Sequence, residues 1–231
     1  MFSEVMNVSG YGQFCPVSKA MELLDERWTI LVVRELLLGS RHFNDLRRGL
    51  PKMSPALLSK RLKSLTRAGV VERTEVDGRT AYALTQCGLE LGEVVDALGT
   101  WGTRWIGQLG EEDLDPHLLM WDIHRSVPID AWPRSRTTIA FQFDGVTPKA
   151  SRWWLVVAEG DTDVCDFDPG YDVTATVATS LRTLTRIWRG DVGWPQALLD
   201  GSVSVSGPAD VRRAIPAWIG QGAKAAVPRP A

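Results

Sequence analysis

The sequence is poor in the residues that staple or metallate small domains, with three cysteines and three histidines in 231 residues. Cys15, Cys87 and Cys165 are an odd number at spacings that no metal motif uses. That excludes a disulfide-framed secreted module and leaves reduced thiols as the expectation. His42, His117 and His124 form no metal motif by spacing, and neither a glycine-rich phosphate loop nor a nucleophile elbow is present. No catalysis, no metal and no cofactor are therefore expected. The acids Asp161, Asp163, Asp166 and Asp168 lack the loop glycine and terminal glutamate of a calcium site, and read as a polar loop and strand edge. Also missing is any apolar run near the ~20 residues that span a bilayer, or a basic start followed by an apolar signal region. The expectation is a cytoplasmic protein with no membrane partner.

What is present is an ordinary globular composition, 44% hydrophobic and 23% charged, in a chain long enough for two domains. The net charge of −2 hides an asymmetry: residues 1–110 hold 14 basic and 12 acidic side chains, residues 111–231 hold 12 and 16. From Arg41 to Arg79 ten Lys or Arg face four acids, Asp45, Glu72, Glu75 and Asp77. Such a local excess suits either a polyanion partner or a solvated basic face.

Helical spacing of Val17, Met21, Leu24, Trp28, Leu31, Val32 and Leu36 predicts two short helices joined near Asp25 and Glu26. Phe43, Leu46 and Leu50 predict a third, with Asn44 placed to cap it. Ser54 as N-cap and Pro55 as first residue open a fourth, which ends at Gly69. At 100° per residue its Leu57, Leu58, Leu62 and Leu65 form one face, and Ala56, Ser59, Lys60, Lys63 and Arg67 the other. Arg61 falls at the core edge, where it should support backbone or a carboxylate. Strands at Val70–Thr74 and Arg79–Leu84 flank Asp77-Gly78, the dipeptide best suited to a tight hairpin. Thr85 then caps a helix on which Leu91, Val94, Val95, Leu98, Trp101, Gly102 and Trp105 recur at three- and four-residue steps. That stripe either packs on the N-terminal helices or forms a dimer seam; the seam is favoured because the stripe outgrows so small a domain.

These residues carry a resemblance. Cys15-Pro16, Trp28-Thr29, Leu36 to Gly39, Phe43 with Leu46-Arg47, and Ser54-Pro-Ala-Leu-Leu-Ser with Arg61-Leu62 and Leu65 together resemble the HxlR family of winged helix-turn-helix regulators over about residues 15–105. The resemblance implies a homodimer on double-stranded DNA, with the fourth helix in the major groove and the wing on the backbone or minor groove. Residues 1–110 are then a DNA-binding and dimerisation domain. Ser54, Ala56, Ser59, Lys60 and Lys63 are the candidate base and phosphate contacts, with Arg47, Arg73 and Arg79 beside them. A dimer of such domains would read an inverted repeat as a repressor. Cys15 stands where some members of that family sense electrophiles or oxidants, which makes thiol-based regulation the alternative.

After an acidic linker at 110–115, residues 111–231 read as an antiparallel sheet with helices, so the whole chain is α+β. Strands are expected at Thr138–Phe143, Trp153–Ala158, Val164–Phe167, Val173–Val177 and Val203–Ser206, and helices over Ser180–Arg189 and after Gly207-Pro208. The tail from Ala223 should fray. The run Ala197-Leu198-Leu199-Asp200-Gly201 with Val203, Val205 and Gly207 resembles the end of sterol-carrier-like lipid-binding domains, which implies an apolar tunnel. Trp153, Trp188 and Trp194 are the candidate lining residues for a hydrophobic small-molecule effector. A lipid carrier without a DNA role is a further alternative, but it leaves the basic fourth helix unexplained.

Overall fold

The computed structural model describes residues 10–230. Its contacts divide the chain into two compact units between Gly99 and Thr100, inside a helix, and not at the acidic stretch of 110–115. The boundary expected at 110 lies eleven residues further on, beyond the end of that helix at Trp105.

The first unit is built from helices α1 (Pro16–Leu24), α2 (Thr29–Leu37), α3 (Phe43–Gly49) and α4 (Pro55–Arg67), a hairpin of β1 (Val71–Val76) and β2 (Arg79–Leu84), and α5 (Gln86–Trp105) as far as Gly99. Val32, Val33, Leu46, Leu58, Leu62 and Leu65 make its dry centre. As expected, Ser54 caps α4, its Oγ accepting from the Leu57 N–H at 3.3 Å, and Asp77-Gly78 turns the hairpin at φ +50° and +72°. Asn44 does not cap α3. The helix begins two residues earlier, with His42 at the N-cap and Asp45 accepting from the His42 N–H at 3.3 Å. A carboxylate three residues in satisfies that donor and also suits the helix dipole.

Two buried charges hold this unit together. Arg61, buried on α4, pairs with Glu26 and donates from Nε to the Arg27 carbonyl at 3.0 Å. It thereby clamps the α1–α2 turn, where Trp28 sits at φ +79°, a left-handed conformation that costs a non-glycine residue on the order of 1–3 kcal/mol. Glu35, fully buried on α2, binds Arg34 at 2.6 Å and lies against Gly49, where any Cβ would collide with its carboxylate.

The second unit carries α6 (Pro116–Ser126), β3 (Thr137–Asp144), β4 (Arg152–Ala158), β5 (Asp161–Cys165), β6 (Ala175–Ser180), α7 (Leu181–Trp188), α8 (Trp194–Leu199), β7 (Val203–Ser206) and α9 (Ala209–Ile219). Its strands run β5-β4-β3-β6-β7, and β3 pairs with β6 in parallel. The sheet is therefore mixed, not wholly antiparallel as expected: the chain leaves the β5 edge, crosses the sheet and re-enters alongside β3 in the same direction. Ile139, Phe141, Leu155 and Val177 of the sheet join Met120, Ile123, Leu184, Ile187 and Ile215 of the helices in one core. Helix α6 was not foreseen, although Asp115 caps it through the His117 and Leu118 N–H groups at 2.9 and 3.2 Å, with Pro116 first in line.

The tail is anchored, not frayed. Arg229 pairs with Asp191 at 2.5 Å and donates from Nε to the Thr103 carbonyl at 3.2 Å, while Lys224 reaches Thr100 Oγ1 at 3.1 Å. The Gly222 N–H bonds to the Trp188 carbonyl at 2.8 Å, and the tail passes so close to Gly190 that a Cβ there would strike the Ala225 backbone.

Candidate nucleic-acid interface

A 13-residue helix capped by Ser54 presents its polar side to solvent because its leucines are used up inside. Ala56, Lys60, Lys63 and Arg67, at i, i+4, i+7 and i+11, form a straight exposed stripe. Ser54 is exposed too, although its hydroxyl already accepts the cap bond, and Ser59 is half-buried at the edge. Lys60 and Lys63 are therefore the freest of the five expected contacts. Arg67, which the sequence places on this face, extends the stripe by a turn. Arg47 is exposed on α3, the preceding helix of the motif.

The hairpin register separates the two wing arginines. Arg73 lies opposite Tyr82 and Arg79 opposite Val76, so with side chains alternating along each strand they occupy opposite faces of the ribbon. Arg73 Nη2 also donates to Thr80 Oγ1 at 3.2 Å. Arg79, beside the turn, is the wing-tip cation. The base of the wing is fixed to α3: the Tyr82 N–H bonds to the Arg41 carbonyl at 2.8 Å, and His42 Nδ1 lies 3.0 Å from the Thr80 carbonyl. That tie, which no sequence periodicity signals, sets the angle between wing and helix-turn-helix.

On α5 the stripe divides. Leu91 and Val95 pack partly on the first unit's core, whereas Val94, Leu98, Trp101 and Trp105 are 45–58% exposed. The last four lie at i, i+4, i+7 and i+11 and form one apolar line on the outside of the helix. Phe14, Val17 and Met21, at and before α1, are exposed as well, and α1 buries no residue.

Cys15 is the N-cap of α1, followed by Pro16. Its sulfur closes no cap hydrogen bond, but the backbone N–H of Ser18, and after it that of Val17, favour the thiolate and lower the thiol below its ordinary value of 9.0. Since the thiolate is the nucleophile, the rate of Cys15 alkylation by iodoacetamide is expected to reach half its plateau below pH 9.0. The Cys15→Ser variant supplies the background from Cys87 and Cys165, and a midpoint at or above that of a free thiol would refute the helix-end effect.

Trp153, Trp188 and Trp194 sit inside the second unit. Each is at least 93% buried in the second unit's core, and each indole N–H is satisfied: by the Ala150 carbonyl at 3.0 Å, Asp122 Oδ2 at 2.6 Å and the Gly220 carbonyl at 2.9 Å. A cavity of about 480 Å³ lies elsewhere in this unit, between residues 129–134 and 157–160, with Trp132 in its wall. Among the described residues no group of histidines, cysteines or acids could hold a metal ion, and no helix is long and apolar enough to cross a membrane.

A capped helix with a basic outer face, preceded by a short helix and followed by a two-stranded wing, defines a winged helix-turn-helix DNA-binding protein. The HxlR-like helix-turn-helix family matches residues 23–109. The chain is 39% identical over 98 residues to the HTH-type transcriptional regulator YvaP of Bacillus subtilis, covering 41% of this chain and 91% of that one. It is 37% identical over 100 residues to the regulator sll1512 of Synechocystis, covering 42% and 74%. The reduced form of the transcriptional regulator YodB from B. subtilis aligns with a TM-score of 0.36 at 28% identity, covering 41% of this chain and 97% of that one. The chain belongs to the HxlR-like helix-turn-helix family and is a transcriptional regulator.

Proposed function

We propose that the protein is a homodimeric repressor that binds an inverted-repeat operator through α4 and the wing, with its DNA affinity set by a small apolar molecule held in the second unit. The observation that carries the DNA part is the Ala56–Lys60–Lys63–Arg67 stripe. Two of its residues are lysines with no structural duty, on a helix whose other face is wholly occupied. Lys60 and Lys63 meet phosphates, Ala56 and Ser59 approach base edges, and Arg47 and Arg79 contact flanking backbone. The exposed line Val94–Leu98–Trp101–Trp105 is the seam with a second copy, which sets half-sites about 34–36 Å apart.

The second unit joins the regulator as a sensor. Its sheet with helices, and the Ala197–Gly207 run, support kinship with sterol-carrier-like domains, and a ligand that prefers one dimer geometry shifts operator affinity by that preference and no more. A thiol-based reading through Cys15 draws on the helix-end thiolate described above; it holds if oxidation changes operator affinity in the protein and not in Cys15→Ser.

Selection from random-sequence DNA, followed by binding measured across salt concentrations, tests the proposal. A palindromic site is expected. Replacing Lys60 and Lys63 by Ala should reduce the slope of log K against log salt on the full palindrome by about four, one phosphate contact per lysine in each of the two half-sites. Selection of no palindrome, or an unchanged slope, would sink it.

A further inference from the structure

The cavity at residues 129–134 and 157–160 is assembled by strand register: Thr137 pairs with Val157, so the segment entering β3 runs beside the turn leaving β4. The floor is apolar and rigid. Val157 is buried in the core, Ile129 packs against that core, and Trp132, itself buried, is held by stacking on Trp218 at 5.0 Å and by an indole N–H bond to the Trp218 carbonyl at 2.8 Å. Around this floor stand three exposed charged residues, Asp130, Arg134 and Glu159. None of the three side chains makes a hydrogen bond or ion pair among the described residues. The rim is thus net negative around an indole wall, in a volume within the roughly 300–1,000 Å³ that small-molecule sites occupy.

Glu159 breaks a local rule that the same chain keeps elsewhere. The β4–β5 hairpin turns on Glu159-Gly160 at φ +54° and +86°, nearly the geometry of Asp77-Gly78 in the wing at +50° and +72°. At the first position of such a turn Asn, Asp or Gly is favoured, because a short or absent side chain tolerates the left-handed region. The wing obeys this. The second unit instead spends a strained position on a longer acid, whose N–H is tied to the Arg134 carbonyl at 3.2 Å and whose side chain lines the cavity. Non-optimal turn residues of this kind gather where function requires a particular side chain.

We propose that this groove binds a small organic cation with a bulky apolar body, the body against Trp132, Ile129 and Val157 and the positive centre between Asp130 and Glu159. The proposal rests on the reading of the second unit as a sensor, and narrows its ligand from any apolar molecule to a cationic one. An indole face adjoining carboxylates attracts such a cation by cation–π and Coulombic terms together. Arg134, on the same rim, repels it weakly and admits no second cation.

The test uses the full chain and two nearly isosteric probes of opposite charge, tetraphenylphosphonium and tetraphenylborate, titrated by calorimetry with tryptophan fluorescence alongside. The phosphonium is expected to saturate at one per chain and to quench fluorescence, while the borate binds at least about tenfold more weakly. Asp130→Asn and Glu159→Gln should each weaken the phosphonium by about fivefold, the upper range for an exposed charge pair. Glu159→Asn should weaken it as much as Gln does while raising Tm by about 1–3 °C through relief of the turn, a split that a purely structural turn residue would not produce. Equal binding of the two ions, or variants that bind the phosphonium unchanged, would overturn the site. Phosphonium binding that leaves operator affinity unaltered would keep the site and remove its sensor role, whereas absence of phosphonium binding removes the site and leaves DNA recognition through α4 standing.

Discussion

Leu98→Asp combined with Trp101→Asp is expected to turn the proposed dimer into a folded monomer of 25.5 kDa whose operator affinity is lower by about a hundredfold to ten-thousandfold, the factor that linking two half-site contacts supplies. Both side chains are more than half exposed in the single chain, at 52% and 57%. Acids there cost the isolated chain little, so Tm measured at monomeric concentrations should hardly move. A seam is different: each carboxylate would face its symmetry mate across an apolar contact, and an unpaired buried charge is strongly unfavourable. Sedimentation velocity reads the association, and a two-half-site DNA against a one-half-site DNA reads the affinity. A variant that stays dimeric would move the seam off this face, and the exposed α1 residues Val17 and Met21 would be the next surface to replace. The same pair of substitutions separates the two readings of the stripe. Residues that only packed against the first unit would lose Tm and leave association unchanged; Leu91 and Val95, which do pack there, should behave in that way.

A second expectation concerns one glycine. Gly88 lies in the first turn of α5 where the helix crosses the start of the wing, and a Cβ at that position would overlap the Val70 carbonyl oxygen. That oxygen already accepts the Thr85 N–H at 3.0 Å, and Thr85 Oγ1 donates to the Gly69 carbonyl at 2.6 Å, so backbone from α4, the wing and α5 meets at this corner. Gly88→Ala should destabilise the protein by about 1–3 kcal/mol, because the clash is with backbone that cannot rotate away. Gly92, one turn on, is the control. An added methyl there meets Leu37 Cδ2 at an ordinary 3.5 Å, and Gly92→Ala should stabilise by up to about 1 kcal/mol from helix propensity alone. Urea unfolding of the two variants reads the opposite signs, and equal effects would mean that close approach does not govern position 88. Operator affinity should fall with Gly88→Ala, since shifting this corner re-aims the wing relative to α4.

Much of the first unit was legible because its signals are local. Ser54-Pro55, Asp77-Gly78 and the spacing of Leu58, Leu62 and Leu65 each specify a cap, a turn or a buried face from within a few residues, by backbone chemistry that does not depend on distant partners. Arg61 was readable for the same reason: its angle on the helix put it at the core edge, and there it binds Glu26 and the Arg27 carbonyl. Helix α6 was missed although its signals were equally local, since Asp115-Pro116 opens a helix as well as it closes a linker.

The sequence by itself determined helix α4, the wing and the basic stripe, because helical and strand periodicity sort side chains by face before any tertiary contact exists. Tertiary structure alone decided the rest. Alternation along a strand is the same whichever neighbour it pairs with, so the parallel β3–β6 pair and the opposite faces of Arg73 and Arg79 followed only from register. A tryptophan is equally suited to a core or a cavity wall, and packing buried Trp132, Trp153, Trp188 and Trp194 in one core with Trp132 also bordering the groove. That groove joins Asp130 and Arg134 to Glu159 across a hairpin register, and no spacing within either segment announces the other.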